Sequence, residues 1–229
     1  MAKKVVKKTK IKLFSLLIVL LVLTGLFFGV KCILNARTKN IIVKGTTYLK
    51  DDYILELAGV KNYPGFISLN TWKCEKKLNK SDYISKSKIK KKLNFTLELI
   101  INENKPLFYD TNTNKYVLSN NETAKEDNVN INFRIPRLLN YVPDKKYEKF
   151  KLGMNKIEKN TLSKISDIEY KPNDYDKDRF LLYMDDGNLV YLTLTKFKLI
   201  NHYNEVVTQL EGHKGILYLD SGNHFQIME

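Results

Sequence analysis

The sequence predicts an α+β protein: an N-terminal transmembrane helix, a domain of β-α-α-β-β order, and a mostly antiparallel β domain with a late helix. Three observations predict this class. An uncharged run of 18 residues lies near the N-terminus, alternating apolar patterns mark several strands, and two short amphipathic segments follow the first strand. A hydrophobic fraction of 43% and a charged fraction of 28% are typical of folded domains rather than disordered chains.

The uncharged run covers residues 13–30, and residues 32–34 extend it. As a helix, this segment covers most of a hydrocarbon core about 30 Å thick. Six lysines precede it within residues 1–12, and fewer positive charges follow it. The positive-inside rule therefore predicts a cytoplasmic basic tail at 1–12, a single transmembrane helix at 13–34 and an extracellular remainder. We expect the anchor to stay uncleaved, because its exit, VKCILNAR, has no small-residue cleavage site.

The net charge of +14 is divided unevenly along the chain. Residues 38–105 carry 14 Lys against 7 Asp and Glu, whereas residues 106–229 carry 17 Lys and Arg against 18 Asp and Glu. Nucleic-acid binding favours arginine for bidentate contacts, and the chain contains only 4 arginines. We therefore expect no nucleic-acid partner. The basic segment fits either a solvated face or a contact with anionic lipid or wall polymer.

The segment after the anchor predicts the β-α-α-β-β domain. IIVKG, at residues 41–45, suits a first strand that ends at glycine. LKDDYILELAGV predicts a helix with acidic residues in its first turn, and capping residues at 68–71 begin a second short helix. YISKSKIKKK and FTLELIINE then predict two strands, because apolar residues alternate with polar ones in the second of them.

The C-terminal part predicts a β-hairpin, a helix and a last strand. Alternating residues on either side of the Asp185–Asn188 turn predict the hairpin. Thr195 is expected to cap the helix and Gly212 to close it. The apolar residues of this helix fall at helical spacing: Leu199, Tyr203, Val206 and Leu210. A strand pattern follows at residues 216–219 and 225–227.

Two stretches carry a family resemblance. YISKSKIKKKLNFTLELIINENKPLFY resembles the end of a POTRA domain of the DivIB/FtsQ cell-division family, although Asn94 and Asn104 replace the usual proline and arginine. ISDIEY, followed by the hairpin, helix and last strand, resembles the β domain of the same family. The resemblance implies a POTRA-like domain at residues 38–108 and a DivIB/FtsQ-type β domain at residues 109–229.

The resemblance implies a scaffold of the bacterial divisome rather than an enzyme. It implies FtsL-like and DivIC/FtsB-like division proteins as partners outside the membrane, a location at the division septum, and a role in positioning or regulating septal peptidoglycan synthesis. It implies no cofactor. The alternative is a membrane-anchored secretion or polypeptide-translocation factor that uses the POTRA-like domain. Repeated POTRA units or barrel-length strands would favour that alternative, and the sequence shows neither.

The last strand is the expected partner-binding element. We predict β-augmentation there, because an edge strand can bind an extended segment through main-chain hydrogen bonds. The expected contact residues are Leu219, Asp220, Ser221, Phe225 and Ile227. Strand alternation would direct about half of these side chains into the core instead, and both interpretations stay open for each residue. Tyr218 and Asp220 stand where the family pattern has other residues.

Catalytic and metal-binding patterns are weak in this sequence. SKSK at residues 85–88 matches S-x-x-K, but it falls in a predicted strand and the chain has no K-T-G motif. His202, His213 and His224 are too scattered to predict a metal site. Two cysteines give no disulfide framework. We therefore expect no catalytic, cofactor-binding or metal site.

Overall fold

The computed structural model describes residues 13–125 and 134–228. The basic tail predicted at residues 1–12 lies outside the described residues. Helix α1 spans Leu13–Leu34, in agreement with the prediction. Among the described residues, it is the one helix that is long and apolar enough to cross a membrane. Its side chains are exposed along residues 14–34, which fits a membrane anchor.

The first domain follows the predicted β-α-α-β-β order. Its elements are β1 (Asn40–Lys44), α2 (Asp51–Ala58), α3 (Thr71–Leu78), β2 (Ile84–Lys92) and β3 (Thr96–Glu103). The strands pair in the order β1-β3-β2, with β1 parallel and β2 antiparallel to β3. A parallel pair needs a crossover connection, and α2 and α3 lie in the connection from β1 to the hairpin of β2 and β3.

One face of this sheet packs on the two helices. Leu97, Leu99 and Ile101 alternate along the central strand and are at most 1% exposed. They share an apolar core with Ile54 of α2 and Leu78 of α3. Because side chains of a strand point alternately to the two faces, this inward set leaves the intervening residues on the opposite face.

Glu103, at the end of β3, holds the loop between β1 and α2 against the sheet. Its carboxylate oxygens accept hydrogen bonds from the backbone N–H groups of Thr47, Tyr48 and Leu49 at 2.8–2.9 Å. Hydrogen bonds to an ionised acceptor are stronger than those between neutral groups. Glu103 therefore fixes the approach of the chain to α2.

The second domain contains the remaining elements. They are β4 (Pro106–Asp110), β5 (Lys115–Leu118), β6 (Thr123–Ala124), β7 (Arg137–Leu138), α4 (Asp144–Asn155), α5 (Lys159–Leu162), β8 (Ile165–Tyr170), β9 (Arg179–Met184), β10 (Leu189–Thr193), a 3-10 helix (Leu194–His202), α6 (Tyr203–Thr208), β11 (Gly215–Tyr218) and β12 (His224–Ile227). In the described residues these strands form one sheet in the order β12-β11-β10-β9-β8-β7-β4-β5-β6. The pairs β10–β11, β7–β8 and β4–β7 are parallel and the others are antiparallel, as predicted for a mostly antiparallel domain. β3 belongs to the first sheet and β4 to the second. The domain boundary predicted at residue 108 stays a prediction.

Helix α4 and the 3-10 helix cover one face of the second sheet. Phe150 of α4 stacks on Phe180 of β9, with ring centroids 4.8 Å apart and an interplanar angle of 4°. Phe197 of the 3-10 helix packs edge-on against both rings. Gly153 allows this approach, because an added Cβ would lie 2.9 Å from the Phe197 ring. Helix α4 is absent from the sequence-based prediction.

The predicted helix from Thr195 to Gly212 is wrong in its start, its type and its end. The segment begins as a 3-10 helix at Leu194, continues as α6 and ends at Thr208. Its buried residues recur at every third position: Leu194, Phe197, Ile200 and Tyr203. This spacing matches the three residues per turn of a 3-10 helix rather than the 3.6 of an α-helix. Thr193 precedes the first turn and makes no side-chain capping hydrogen bond.

The two domains meet at a packed junction. Leu118 and Ala124 lie in the second sheet but belong to the apolar core of the first domain. The Tyr83 hydroxyl donates a hydrogen bond to the Lys125 carbonyl at 3.2 Å. These contacts, together with the chain connection from β3 to β4, lie at the end of the first sheet where β2 begins and β3 finishes. The second domain therefore extends from that end.

We expect Glu103→Ala to loosen the loop before α2. Three N–H groups lose a charged acceptor, and a hydrogen bond to a charged group contributes about 1.5–3 kcal/mol. Hydrogen exchange of the full chain, followed by mass spectrometry, should show protection at residues 47–49 falling by about tenfold or more. Glu56→Ala removes an exposed carboxylate 3.7 Å from Lys61 and should leave protection nearly unchanged. Unaltered exchange at residues 47–49 in Glu103→Ala would contradict the role given to this carboxylate.

Candidate partner-binding edge

Strands β11 and β12 form the last hairpin of the second sheet. β11 lies between β10, which it pairs with in parallel, and β12, which it pairs with antiparallel. The strand pattern at residues 216–219 is thus paired on both sides, and the edge position belongs to β12. Within the described residues, no strand pairs with the outer side of β12.

The alternation of hydrogen bonds shows which residues of β12 face outward. The Met228 N–H donates to the Lys214 carbonyl at 2.9 Å, so these two opposed residues form a hydrogen-bonded pair. In an antiparallel ladder, hydrogen-bonded and non-hydrogen-bonded pairs alternate. Ile227 and Phe225 occupy the non-hydrogen-bonded positions of the register. Their N–H and C=O groups therefore point away from β11, towards the open edge.

The structure separates the predicted contact residues into exposed and supporting positions. Leu219 is 7% exposed and belongs to the core of the second domain. Phe225 is half-buried and packs against that core. Ser221 is exposed, and Ile227 is 55% exposed. Contact of these residues, and of Asp220, with a partner stays a prediction.

Asp220 forms an ion pair with Arg179 inside the second domain. Its carboxylate lies 2.6 Å from Nε of Arg179, and the two side chains are only 7% and 15% exposed. The Lys196 ammonium also donates to the Asp220 backbone carbonyl at 3.1 Å. Removing one member of a pair this well shielded leaves an uncompensated charge. The sequence did not reveal this pair because its members are 41 positions apart, and no local spacing relates them.

A row of stacked side chains crosses the last four strands on the sheet face opposite the helices. The Arg179 guanidinium lies 3.5 Å from the ring centroid of Tyr191. Tyr191 stacks on Tyr218 with centroids 5.5 Å apart, and Tyr218 stacks on His224 at 4.7 Å. Such cross-strand contacts stabilise neighbouring strands. Tyr218 therefore connects the edge strand to the interior of the sheet.

Close contact between β11 and β12 depends on Gly215. An added Cβ at this position would lie 2.1 Å from the Gln226 carbonyl oxygen and 2.6 Å from the Phe225 ring. The Gly215 N–H donates to Oδ1 of buried Asn188 at 2.8 Å, and Nδ2 of Asn188 donates to the Tyr203 hydroxyl at 2.9 Å. The start of β11 is therefore fixed by the β9–β10 turn.

The turn itself is held by an ionised carboxylate. The Tyr203 hydroxyl donates to both oxygens of Asp186 at 2.8 Å. Burial raises the pKa of Asp186, but hydrogen bonds from the Asn188 N–H and the Tyr203 hydroxyl outweigh it and lower the pKa below its usual value. Burial and the hydrogen bond to Asp186 raise the pKa of Tyr203. At neutral pH, Tyr203 therefore remains a donor to a charged acceptor.

The residues considered for catalysis or metal binding are dispersed. SKSK at residues 85–88 lies in β2, where the Ser87 hydroxyl donates to the Asn79 side chain at 2.8 Å. His202 contacts Glu205 at 3.0 Å, whereas His224 stacks in β12. Among the described residues, no group of three or more His, Cys, Asp or Glu is placed to hold a metal ion. The chemistry that the last hairpin can offer is therefore that of the groups described above: outward main-chain N–H and C=O groups on β12, and apolar and aromatic side chains beside them.

Comparison with known proteins shows a similarity to cell-division proteins. Residues 36–104 match the FtsQ-type POTRA domain. The cell-division protein DivIB of Listeria monocytogenes is 28% identical over 98% of this chain and 83% of its own length. DivIB of Bacillus subtilis is 26% identical over 83% of this chain and 74% of its own length. The chain thus contains an FtsQ-type POTRA domain and is similar to DivIB cell-division proteins over most of its length. The resemblance predicted from the sequence is confirmed, and it supports a role in cell division.

A solved structure adds a more distant similarity to DivIB. The major extracytoplasmic domain of DivIB from Geobacillus stearothermophilus is 21% identical, with a TM-score of 0.38, and the match covers 48% of this chain and 95% of that one.

We expect Gly215→Ala to displace β12 from β11. The new methyl group would meet the Gln226 carbonyl oxygen and the Phe225 ring, and the carbonyl oxygen is a backbone atom that cannot move without shifting β12. Hydrogen exchange should show faster exchange at residues 224–228 with little change in β9. Gly29→Ala is the matched control, because its added Cβ would meet nothing within 4 Å. A variant with normal protection across β12 would show that the sheet tolerates the methyl group.

We expect Asp220→Ala to lower the free energy of unfolding by about 3–5 kcal/mol, because it leaves Arg179 without its counter-charge in a shielded position. Asp174→Ala is the control, since Asp174 is an exposed residue paired with Lys177 and should change stability by less than about 1 kcal/mol. Urea unfolding followed by Tyr and Trp fluorescence measures the difference. Equal stability of the two variants would show that the Arg179 pair does not support the last hairpin.

Proposed function

We propose that this chain is a non-enzymatic scaffold of the divisome that binds FtsL-like and DivIC/FtsB-like proteins outside the membrane. Helix α1 anchors it with the N-terminus in the cytoplasm. Through this binding, the chain positions or regulates septal peptidoglycan synthesis at the division site. Similarity to DivIB cell-division proteins supports a division role. The open outer side of β12 is the observation that carries the binding mechanism.

Apart from its short length, β12 lacks the usual protection of an edge strand against pairing. Natural edge strands are commonly guarded by lysine, by proline or by a bulge. β12 contains neither lysine nor proline, and its pairing with β11 is regular. Ile227 is 55% exposed and Met228 is 39% exposed next to it. An extended partner segment can therefore add to β12 by β-augmentation and cover these apolar side chains.

The predicted contact residues divide between two tasks in this proposal. Phe225 and Ile227 offer outward backbone groups, and Ile227 also offers an exposed side chain. Ser221 is exposed in the turn that leads into β12. Leu219 and Asp220 hold the hairpin from within, through the core and through Arg179. Partner contact is thus assigned to Ser221, Phe225 and Ile227, with Leu219 and Asp220 as supports.

We expect Ile227→Pro to weaken binding of the DivIC/FtsB-like partner by about tenfold or more. Proline removes an N–H that points to the open edge, and its ring obstructs an added strand, whereas pairing with β11 does not use that N–H. The loss of one hydrogen bond contributes about 0.5–1.5 kcal/mol. Ile227→Ala is the matched control, because it removes the side chain but keeps the N–H. Titration of the purified partner by fluorescence anisotropy measures both dissociation constants.

Protection from hydrogen exchange at residues 215–218 shows whether each variant retains the β11–β12 pair. If Ile227→Pro retains this protection and still binds the partner as tightly as the parent chain, main-chain addition at this edge is excluded. A loss of affinity in Ile227→Ala equal to that in Ile227→Pro would instead assign the affinity to the side chain.

In dividing cells, a fluorescent fusion of the parent chain should gather at midcell, and uniform membrane fluorescence would contradict the divisome role.

A further inference from the structure

The first domain begins almost directly after helix α1. The Asn35 and Ala36 N–H groups still bond to carbonyls of α1, those of Lys31 and Ile33. The Ala36 carbonyl already accepts from the Phe66 N–H of the first domain at 2.8 Å. There is therefore no flexible linker between the membrane helix and the folded domain.

The next residues fasten the domain further. Thr38 donates both its N–H and its hydroxyl to the Pro64 carbonyl at 2.9 Å. The Lys39 N–H donates to the Phe95 carbonyl at 2.9 Å. Residues 35–39 span at most about 18 Å even when fully extended. The loop at Pro64 and the turn at Phe95 are thus held close to the end of α1.

Strand directions define one end of the first sheet as the membrane end. β1 starts at this end, and the parallel strand β3 starts beside it, with Asn40 opposite Thr96. The antiparallel strand β2 finishes at the same end, with Lys92 opposite Thr96. The β2–β3 turn therefore lies beyond this row of residues, on the side of α1. The second domain joins the opposite end.

The β2–β3 turn combines lysines with an exposed apolar residue. The turn is LNF, residues 93–95, and it follows the lysines KKK at residues 90–92, the end of β2. Leu93 is 89% exposed, although it is a large apolar side chain in an ordered turn. Asn94 and Phe95 hold left-handed backbone conformations, with φ of 57° and 56°, which fix the direction of the turn.

Side-chain contacts between Phe95, Phe66 and Lys91 hold the turn in one conformation. Phe95 packs edge-on against Phe66, with ring centroids 5.4 Å apart. Lys91 lies over the Phe66 ring at 5.6 Å and donates to the Ile67 carbonyl at 3.0 Å. Ile67 is itself 43% exposed beside this contact. Leu93 is therefore presented outward by a supported turn.

The charge at this end is positive. Lys39 lies over the Phe95 ring at 5.5 Å, and Lys90 is exposed on β2. Glu98 is the acidic residue within the adjoining sheet face, and Lys44 and Lys92 already neutralise it at 2.7 Å and 3.3 Å. Lysines that flank an exposed leucine are the combination that an anionic membrane surface attracts and partly buries.

We propose that the membrane end of the first domain docks on the anionic surface of the same bilayer that α1 crosses, with Leu93 entering the interface and Lys39 and Lys90 facing lipid phosphates. This proposal rests on the membrane anchor of the proposed function. Lipid is favoured over an anionic wall polymer because α1 delivers this end to the bilayer and because a polyanion offers no site for Leu93. The contact fixes the orientation of both outer domains relative to the membrane.

The test uses the full chain in nanodiscs and an environment-sensitive fluorophore on cysteine. Cys32→Ser removes the exposed cysteine of α1, and Cys74, which is buried, stays. Leu93→Cys in this background carries the reporter at the turn. Tyr175→Cys is the matched control, because Tyr175 is fully exposed in the second domain. The Cys32→Ser chain alone measures background labelling of Cys74.

With nanodiscs that contain phosphatidylglycerol, the reporter at position 93 should show blue-shifted emission, quenching by spin-labelled lipid and several-fold lower quenching by aqueous iodide than the reporter at position 175. Discs of phosphatidylcholine alone should give a weaker effect. Added salt should weaken the effect as well, because the Debye length falls from about 10 Å at 0.1 M to about 3 Å at 1 M. Emission and quenching at position 93 equal to those at position 175 would overturn the proposal.

Two further measurements separate the causes of a negative result. A reporter on native Cys32 should be quenched by spin-labelled lipid whenever α1 is inserted, so failure of anchoring is distinguished from failure of docking. Lys90→Gln should reduce the signal at position 93 more than Lys86→Gln, which makes the same charge change at the other end of β2. Equal effects of the two substitutions, or equal burial in neutral and anionic discs, would exclude a lysine contact with lipid. Loss of the signal on adding soluble wall polymer would assign the lysines to the polymer instead.

Discussion

Main-chain hydrogen bonding is the constraint on which the outer part of this molecule depends. The strands between the two edge strands, β12 and β6, pair on both sides. At the β12 edge, Phe225 and Ile227 direct N–H and C=O groups outward. Structures usually pair or protect such groups. The side chains around the hairpin keep β12 in this position: Gly215 permits close approach, and stacking through Tyr218 connects β12 to the interior strands.

The sequence predicted the elements whose patterns are local. The anchor, the β-α-α-β-β order and the β9–β10 hairpin follow from runs and alternations that one segment contains. Helix α4 was missed, although Tyr147, Phe150 and Met154 stand at helical spacing after Pro143, because lysines and glutamates surround these few apolar residues. The prediction of the late helix was incomplete for another reason: its fully buried residues recur every three positions. A search for a 3.6 period finds buried Tyr203 and the partly buried Leu199 and Val206, but it does not find Leu194, Phe197 and Ile200.

The candidate site shows the same limit. The alternation of a strand correctly predicted that some of the expected contact residues belong to the core, and Leu219 is buried in the core of the second domain. It could not show that Asp220 is paired with Arg179, because that contact joins strand β9 to the turn between β11 and β12, 41 positions later in the chain. Tyr218 and Asp220, which differ from the family pattern, both take part in contacts around Arg179 and Tyr191. These departures therefore have an internal structural explanation, independent of any partner.

The size of the exposed edge limits what main-chain pairing can contribute. Phe225 and Ile227 together present about four hydrogen-bonding groups, and at about 1 kcal/mol each these give about 4 kcal/mol, which corresponds to a Kd near 1 mM. A second copy of the same short edge would gain little more than that, so pairing between copies of β12 is weak. A partner that binds tightly must add side-chain contacts with Ile227 and Met228 or with the stacked face at His224. Specificity at this edge therefore comes from the partner's side chains, while the open backbone fixes the strand register in which they dock.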